Sequence, residues 1–320
     1  MKEKNADRVT ILLATYNGAK YVGEQIDSIL KQTYTNWHLI IRDDKSSDNT
    51  NIVLAEYQSN YPDKITVVKD NLNNLGGTLN FNALLQIANK EKYIMLCDQD
   101  DFWLPDKIES TLAEILKLEE QYGEDYPLLV HTNFHYVDSN LNIIESRKDF
   151  KATKIVDLNL CHLLAQNPIY GCTVMMNKKL AQVVGDIPAT AENHDYWIAM
   201  AVSAFGKISY LDKKTILYRQ HGNNVSGSYD DDSFSKRFKR IFIHKKNIKD
   251  AANKIGMAES FRAKYLNTLT VSQLNLIDNF IDFSKNKRLL LVFQNLKDGV
   301  RRQTSMQTFL FYVSAYFSKV

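Results

Sequence analysis

Cysteine is scarce in this chain, and its placement excludes a disulfide framework and a cysteine-based metal site. The three cysteines, Cys97, Cys161 and Cys172, are an odd number without metal-type spacing, which predicts reduced, mostly buried thiols in a cytosolic protein. Long apolar runs are also absent, since none approaches the ~20 residues of a membrane-spanning helix. The first residues do not have the pattern of a signal peptide. We therefore expect a cytoplasmic protein without a membrane span.

Two glycine-rich phosphate-binding motifs are missing as well. No G-x-G-x-x-G follows the first apolar run, which disfavours a dinucleotide site, and no G-x-x-x-x-G-K-[ST] occurs, which excludes a P-loop. If the chain binds a nucleotide, a metal ion rather than a glycine-rich loop must neutralise the phosphates.

The composition is that of an ordinary globular protein, 44% hydrophobic and 24% charged over 320 residues. Apolar runs predict strands at Val9–Ala14, Leu39–Ile41, Ile65–Val68 and Tyr93–Cys97. Helical spacing lies between these runs. We therefore expect βαβ units that form a mostly parallel, Rossmann-like sheet flanked by helices.

The net charge of +3 conceals two parts of opposite sign. Residues 1–232 hold 23 Lys and Arg against 32 Asp and Glu, a balance of −9, whereas residues 233–320 hold 17 against 5, a balance of +12. We place a domain boundary there, between an α/β domain and a basic, mainly helical C-terminal region. Basic residues at 236–249 and apolar stretches at 289–293 and 309–317 predict contact with an anionic membrane surface. A helical subdomain or homo-oligomer contact is the alternative, and nucleic-acid binding is not expected.

An acidic turn after the fourth predicted strand is the most informative segment. The strand ends in three carboxylates, Asp98, Asp100 and Asp101, at the sheet edge where open α/β sheets bind ligands. Carboxylates this close repel one another unless a cation lies between them, and hard oxygen ligands suit Mg²⁺ or Mn²⁺ bridging a substrate's phosphates. The alternative is a solvated acidic turn in which Asp106 caps the next helix.

Polar residues suited to a nucleotide also follow the first two predicted strands. Thr15, Tyr16 and Asn17 follow the first strand, and Asp43 and Asp44 follow the second. A carboxylate here can accept a hydrogen bond from the N3–H group of uracil or thymine. Tyr16 can stack on or border the base.

These segments resemble the family 2 glycosyltransferases with a GT-A fold. The likeness rests on five segments in order: VTILLATYN at 9–17, DDKSSDNT at 43–50, DQD at 98–100, HDYW at 194–197 and YRQHGNNVS at 218–226. The last two resemble bacterial rhamnosyltransferase-like enzymes of surface polysaccharide assembly. The likeness covers about residues 8–228, with Lys45 standing where the family's DDGS turn has glycine. It implies a GT-A catalytic domain at 1–232, with a nucleotide-binding half at about 1–105 and an acceptor half at about 106–232, ahead of the region 233–320.

The resemblance implies roles for residues around the nucleotide. Asp44 would pair with the base, Asp98 would lie near the ribose or the metal, and Asp100 would bind the divalent ion directly. For Asp101, direct ligation and a capping or supporting role are both open. Thr15, Tyr16 and Asn17 would border the donor nucleotide, and Asp43 would have a supporting role.

A second group of implied roles concerns the acceptor and the loop near residue 220. Asp195 would be the general base that takes the acceptor's proton in an inverting transfer, with Glu192 as the fallback base. Its alternative role is to cap the helix that follows. Arg219 would bind the donor and His221 would be a further metal ligand on a loop that closes over the diphosphate. The supporting positions on the acceptor side are Gly171, His194 and Trp197.

The resemblance implies an inverting, metal-dependent transfer of a sugar from a nucleotide diphosphate to a glycan or polyprenyl-linked acceptor. The first choice of donor is dTDP-L-rhamnose, and UDP-hexoses or UDP-N-acetylhexosamines come second. Two other classes remain open: a haloacid-dehalogenase-type phosphatase, which also ends a strand in D-x-D, and an inactive nucleotide-sugar-binding module. We expect a peripheral location on the inner face of the plasma membrane.

Overall fold

The computed structural model describes residues 7–145, 158–221, 244–286 and 288–318. These residues fall into two compact units. The sheet unit comprises residues 7–145, 169–187 and 205–221, and the helical unit comprises residues 158–168, 188–204 and 244–318. The boundary expected near residue 232 and the basic residues 236–243 lie outside the described residues, so the division at 232/233 stays a prediction.

The sheet unit is built on one sheet of eight strands. The strands are β1 (Val9–Thr15), β2 (Trp37–Asp43), β3 (Ile65–Val67), β4 (Tyr93–Cys97), β5 (Phe102–Trp103), β6 (Leu128–Val137), β7 (Val174–Asn177) and β8 (Lys207–Arg219). The helices of this unit are α1 (Val22–Leu30), α2 (Thr50–Asn60), α3 (Gly77–Ile87), α4 (Lys107–Tyr122) and α6 (Lys178–Val184).

The strand order is β3-β2-β1-β4-β7-β6-β8-β5. The first four strands pair in parallel, whereas β7 runs antiparallel to both of its neighbours and β5 runs antiparallel to β8. The predicted class, a Rossmann-like sheet flanked by helices and followed by C-terminal helices, is confirmed. The antiparallel strands make the whole sheet mixed.

Continuous apolar runs suit the interior positions of β1 and β4 in the sheet, where each has a neighbouring strand on both sides. Every residue of β4 is buried, as are six of the seven residues of β1. A strand covered by helices on both faces has no solvent side, so its sequence does not alternate. Since β1, β2 and β4 are parallel, the polar segments that follow them lie at one sheet edge.

The four predicted strands are confirmed, and β4 has the predicted bounds. The structure corrects one alternative for the acidic turn. Asp106 is at the N-cap position of α4, but its side chain accepts no capping hydrogen bond and pairs with Lys213 instead. Two of the cysteines, Cys97 and Cys172, are buried and Cys161 is partly exposed, all as free thiols.

The helical unit consists of α5 (Leu160–Ala165), α7 (His194–Phe205, all but its last residue), α8 (His244–Lys264), α9 (Val271–Lys285), α10 (Leu290–Lys297) and α11 (Ser305–Phe317). Its core contains Trp197, which is fully buried and packs edge-on against Phe261 with ring centroids 5.4 Å apart. No helix in the described part of the chain is long and apolar enough to cross a membrane.

Candidate active site

The turns after β1 and β2 are joined by hydrogen bonds. The Thr15 hydroxyl donates to Asp43 Oδ1 over 2.9 Å, and Asn17 Oδ1 accepts from the backbone N–H of Ser47 over 2.8 Å. Asn17 and Lys45 both have positive φ, 49° and 65°. Lys45 thus adopts the left-handed conformation for which glycine is usual, so the departure from DDGS does not change the turn's backbone class.

Tyr16 is held between the turns after β1 and β4. Its ring is 50% exposed, whereas its backbone N–H donates to Gln99 Oε1 and its carbonyl accepts from Gln99 Nε2, over 2.8 and 3.0 Å. A Cβ atom on Gly18 would lie 2.1 Å from Gln99 Oε1, so a larger residue there would displace this amide from its hydrogen bonds with Tyr16. Sequence reasoning missed Gln99, although its place between Asp98 and Asp100 was a signal.

Asp44 is buried and surrounded by donors from the protein itself. Its carboxylate accepts from Arg42 Nη1 over 2.8 Å and from the backbone N–H groups of Leu75 and Gly76 over 2.9 and 2.8 Å. Arg42, 1% exposed, also donates to Asp70 over 2.8 Å. The predicted base-pairing carboxylate therefore already accepts hydrogen bonds from three donors of the protein in this conformation. The role of Arg42 was missed from the sequence.

The turn after β4 brings Asp98 and Asp101 together with Cys172. One potential ligand atom from each of these residues lies within 4.8 Å of the others. Asp101 is 1% exposed; its Oδ1 accepts from the backbone N–H of Arg219 over 3.1 Å, and within the described residues its Oδ2 has no hydrogen-bond partner. Burial, followed by the charges of Asp100 and Asp98, raises the pKa of Asp101 well above its usual value.

This donor set fits a hard divalent cation. A buried carboxylate oxygen without a donor, beside two further carboxylates, is what oxygen-binding Mg²⁺ or Mn²⁺ would satisfy. Burial also raises the pKa of the Cys172 thiol, and its soft sulfur suits these ions less well than oxygen does. The oxygens of Asp98 and Asp101 are therefore the candidate ligands that the structure brings together, whereas the Asp100 carboxylate contacts His221 instead.

A buried lysine lies beneath this cluster. Lys107, at the start of α4, is fully buried, and within the described residues its ammonium has no hydrogen-bond partner. Desolvation lowers its pKa to about 8, opposed by Cys172, Cys97 and Asp101. Its ammonium lies 4.7 Å from the centre of the Trp103 ring. Sequence reasoning predicted no functional role for Lys107.

Arg219 and His221, at the end of β8, meet the acidic turn from the other side. His221 Nε2 lies 2.7 Å from Asp100 Oδ2, so the two residues predicted to bind metal are in contact. The guanidinium of Arg219 is 1% exposed and donates to the Asp100 carbonyl over 2.8 Å, to the Ser139 carbonyl and to Glu24. Tyr21 stacks on both residues, 4.5 Å from the Arg219 guanidinium and 5.1 Å from the His221 ring centre.

Gly171 starts a buried 3₁₀ turn, Gly171–Thr173, that leads into β7. The turn belongs to the sheet unit and carries Cys172 to the acidic cluster. Gly171 was expected on the acceptor side, and that role stays a prediction. His131 is buried in β6, and desolvation lowers its pKa to about 4.

The remaining predicted residues belong to the helical unit. Asp195 is in the first turn of α7, partly exposed, and Asn167 Nδ2 donates to its Oδ1 over 3.3 Å. Glu192 is ion-paired with Lys254 over 2.8 Å. His194 as a residue is partly exposed, but burial of its ring lowers its pKa to about 3. Its imidazole is therefore neutral at physiological pH.

The fold is that of the GT-A nucleotide-sugar transferases. Its features are the parallel strands, the carboxylates at their shared edge and the C-terminal helices. Solved structures with this fold support the assignment. S. aureus TarS in complex with UDP-GlcNAc matches 96% of this chain and 90% of its own, with a TM-score of 0.53 and 16% identity. The mannosyltransferase PcManGT from Pyrobaculum calidifontis, in complex with GDP-Man and Mn²⁺, matches 97% and 84%, with a TM-score of 0.53 and 16% identity.

Sequence comparison adds a family match for part of the chain. Residues 10–123 match the model of glycosyl transferase family 2. A curated relative, the dTDP-rhamnosyl transferase RfbG of Shigella flexneri, is 29% identical over 261 residues, 75% of this chain and 83% of its own length. The chain is therefore similar to the family 2 glycosyltransferases and to a rhamnosyltransferase among them.

Proposed function

We propose that this glycosyltransferase moves L-rhamnose from dTDP-L-rhamnose to a hydroxyl of a glycan or polyprenyl-linked acceptor, with inversion at the anomeric carbon. The similarity to a dTDP-rhamnosyl transferase over 83% of its length supports this donor. A UDP-hexose or UDP-N-acetylhexosamine is the second candidate, since a structural neighbour carries UDP-GlcNAc. Assembly of cell-wall or surface polysaccharide is the process to which such a transfer belongs.

The acidic turn after β4 is the observation that carries the proposal. Within the described residues Asp101 has a buried carboxylate oxygen without a hydrogen-bond partner, beside Asp98, and Asp100 Oδ2 lies 2.7 Å from His221 Nε2. Bound there, Mg²⁺ or Mn²⁺ would supply a Lewis acid for the negative charge that develops on the leaving nucleoside diphosphate. Asp98, Asp100 and Asp101 would hold the ion, with His221 as a further ligand.

The chain's own residues orient the donor. The exposed ring of Tyr16 is available to stack on a base, because Gln99 fixes its backbone and leaves the ring free to face solvent. Thr15 donates to Asp43, and Asn17 Oδ1 accepts from the backbone N–H of Ser47, so both residues fix the adjoining turn, with Asp43 in support. Arg219 places the Asp100 backbone, so its contribution to donor binding is through the acidic turn.

Asp195 is the better of the two candidate bases in the helical unit. A carboxylate held by an ammonium must give up that partner when it takes a proton, and Glu192 is held in this way by Lys254. Asp195 instead accepts a hydrogen bond from the neutral amide of Asn167, which orients the carboxylate. The neutral ring of His194 and the buried ring of Trp197 support this helix start from within.

The two other functional classes fit the chain less well. A haloacid-dehalogenase-type phosphatase would use the first aspartate of D-x-D as nucleophile, but the family match and the fold are those of glycosyltransferases. An inactive binding module would not need a base at Asp195. We further propose a peripheral, cytoplasmic location, with the C-terminal region on an anionic membrane.

The test is donor hydrolysis by the full chain with dTDP-L-rhamnose, UDP-glucose and UDP-N-acetylglucosamine, each with Mg²⁺, Mn²⁺ or EDTA. We expect turnover with a dTDP- or UDP-sugar that EDTA abolishes. Asp100→Asn, which keeps the shape but removes the charge, should lower turnover by orders of magnitude. Asp63→Asn, at an exposed carboxylate before β3, is the matched control and should be unchanged. Full activity in EDTA contradicts the metal-dependent mechanism, and release of phosphate from sugar phosphates favours the phosphatase.

A further inference from the structure

Helix α10 presents its apolar side chains to solvent. Leu290 is 84% exposed and Phe293 73%, with Leu289 and Leu296 beside them at 57% and 39%. The fully buried residue of this helix is polar, Asn295. Positions 289, 293 and 296 share one face of a helix, so the usual amphipathic pattern is reversed.

Helix α11 also has exposed apolar side chains, and its buried face is apolar as well. Phe311 and Tyr312 are 2% and 6% exposed and pack inward, whereas Met306 and Phe309 are 60% and 64% exposed. The three-residue spacing of Met306 and Phe309 puts them on one outer face. A helix that is apolar on both sides is expected to be covered on both.

A cleft of about 780 Å³ joins the two helices. Val292 and Leu296 of α10 and Phe309 of α11 line it, together with Arg301. Leu296 and Phe309 therefore border one cleft, and the other exposed apolar side chains belong to the same two helices or to the residue before α10. We call this set the outward ridge: Leu289, Leu290, Phe293, Leu296, Met306 and Phe309.

Basic groups surround the outward ridge. Residues 288–318 contain four basic side chains and one acidic side chain, Asp298, which accepts a hydrogen bond from Gln294 over 2.8 Å. Lys297 and Arg301 are exposed, whereas Arg302 pairs with Asp250. The N-terminus of α11 at the same cleft adds partial positive charge. The surface thus combines large apolar side chains with two exposed cations, Lys297 and Arg301, for which the described part of the chain shows no ion pair.

We propose that the outward ridge inserts into an anionic phospholipid bilayer, with Lys297 and Arg301 at the level of the lipid phosphates. This rests on the peripheral membrane attachment proposed above and names the surface responsible. An apolar face bordered by Lys and Arg is the pattern of interfacial helices, which bury that face at the boundary of head groups and acyl chains. A second copy of the chain fits less well, because self-pairing of the same face brings its cations together.

The first experiment measures sedimentation of the full chain with vesicles of phosphatidylglycerol and phosphatidylcholine, and with phosphatidylcholine alone. We expect binding to the anionic vesicles, weakened by salt. Leu290→Ser with Phe293→Ser should lower the partition coefficient roughly tenfold for each side chain withdrawn. Arg301→Gln should lower it about fivefold. Ile52→Ser removes an apolar side chain that is 67% exposed in the sheet unit, and it should change nothing.

The second experiment reports insertion directly. The native tryptophans, Trp37, Trp103 and Trp197, are at most 4% exposed, so their fluorescence should respond little to lipid. A tryptophan introduced by Phe293→Trp should shift its emission to the blue on anionic vesicles and be quenched by brominated acyl chains. The same substitution at Ile52 should show neither effect.

Three results overturn the proposal. The first is unchanged vesicle binding by the Leu290→Ser, Phe293→Ser variant, and the second is a Phe293→Trp emission that vesicles do not alter. The third is a wild-type dimer that this variant dissociates without any loss of lipid binding, which would make the ridge a contact between copies. Donor hydrolysis is measured on the same samples and should be equal in all variants. If it is absent even in the wild type, the proposed activity fails while the vesicle results stand.

Discussion

Replacement of Arg219 by methionine should disturb the acidic turn without replacing any of the turn's own carboxylates. The guanidinium is 1% exposed and donates to two backbone carbonyls, those of Asp100 and Ser139, as well as to Glu24. Each buried acceptor left without a donor costs about 1–3 kcal/mol. Glu24 is 54% exposed and regains water, so we assign it no energy. Loss of the contact with the Tyr21 ring adds about 0.5–2 kcal/mol.

The expected loss for Arg219→Met is therefore about 2.5–8 kcal/mol of unfolding free energy, with a lower affinity for Mn²⁺ because Asp100 is no longer held. Denaturant unfolding and metal titration of the same samples measure both effects. Arg8→Met is the control, since Arg8 is 53% exposed and pairs with Glu91; its loss should stay within about 1 kcal/mol. If the two variants unfold alike and bind Mn²⁺ alike, Arg219 does not organise the turn.

Two further predictions concern the base and the buried histidines. Asp195→Asn should lower kcat by roughly 10²–10⁴ with donor affinity retained, whereas Glu192→Gln should keep most of the turnover. Single-turnover rates and donor titrations measure these effects. A product that retains the anomeric configuration would refute a single displacement. The neutral, buried rings of His131 and His194 have pKa values lowered to about 4 and about 3, below the value near 6.5 of unfolded histidine. Between pH 6.5 and 5 the unfolded state binds protons that the folded state does not, so stability falls on acidification by up to about 1.4 kcal/mol per pH unit for each histidine. His131→Gln should reduce the slope of unfolding free energy against pH, and an unchanged slope would contradict this account.

The parallel half of the sheet could be predicted from the sequence because its strands are buried on both faces. Continuous apolar runs such as Tyr93–Cys97 have few other interpretations. The sequence did not indicate that β7 would lie antiparallel beside β4. Its pairing partner is about 80 residues away in the chain, and no local pattern encodes that choice.

The candidate site was predictable where residues act through local spacing. The three carboxylates after β4 were found because they follow a strand directly. Arg42, Gln99 and Lys107 were missed because their roles depend on partners distant in sequence: Gln99 bonds to Tyr16, 83 residues away. A buried arginine or lysine has no signature in a single sequence, since these residues are usually exposed.

If a donor base pairs with Asp44, as the family resemblance implies, the hydrogen bonds around this carboxylate would couple donor binding to the position of a loop. A base that donates to this carboxylate competes with the N–H groups of Leu75 and Gly76 for the same oxygens. Occupancy of the base site and release of residues 70–76 from β2 are then thermodynamically linked, and the linkage is reciprocal. An interaction that holds this loop in place lowers the affinity for the donor. Donor binding disfavours the attached loop by the same factor.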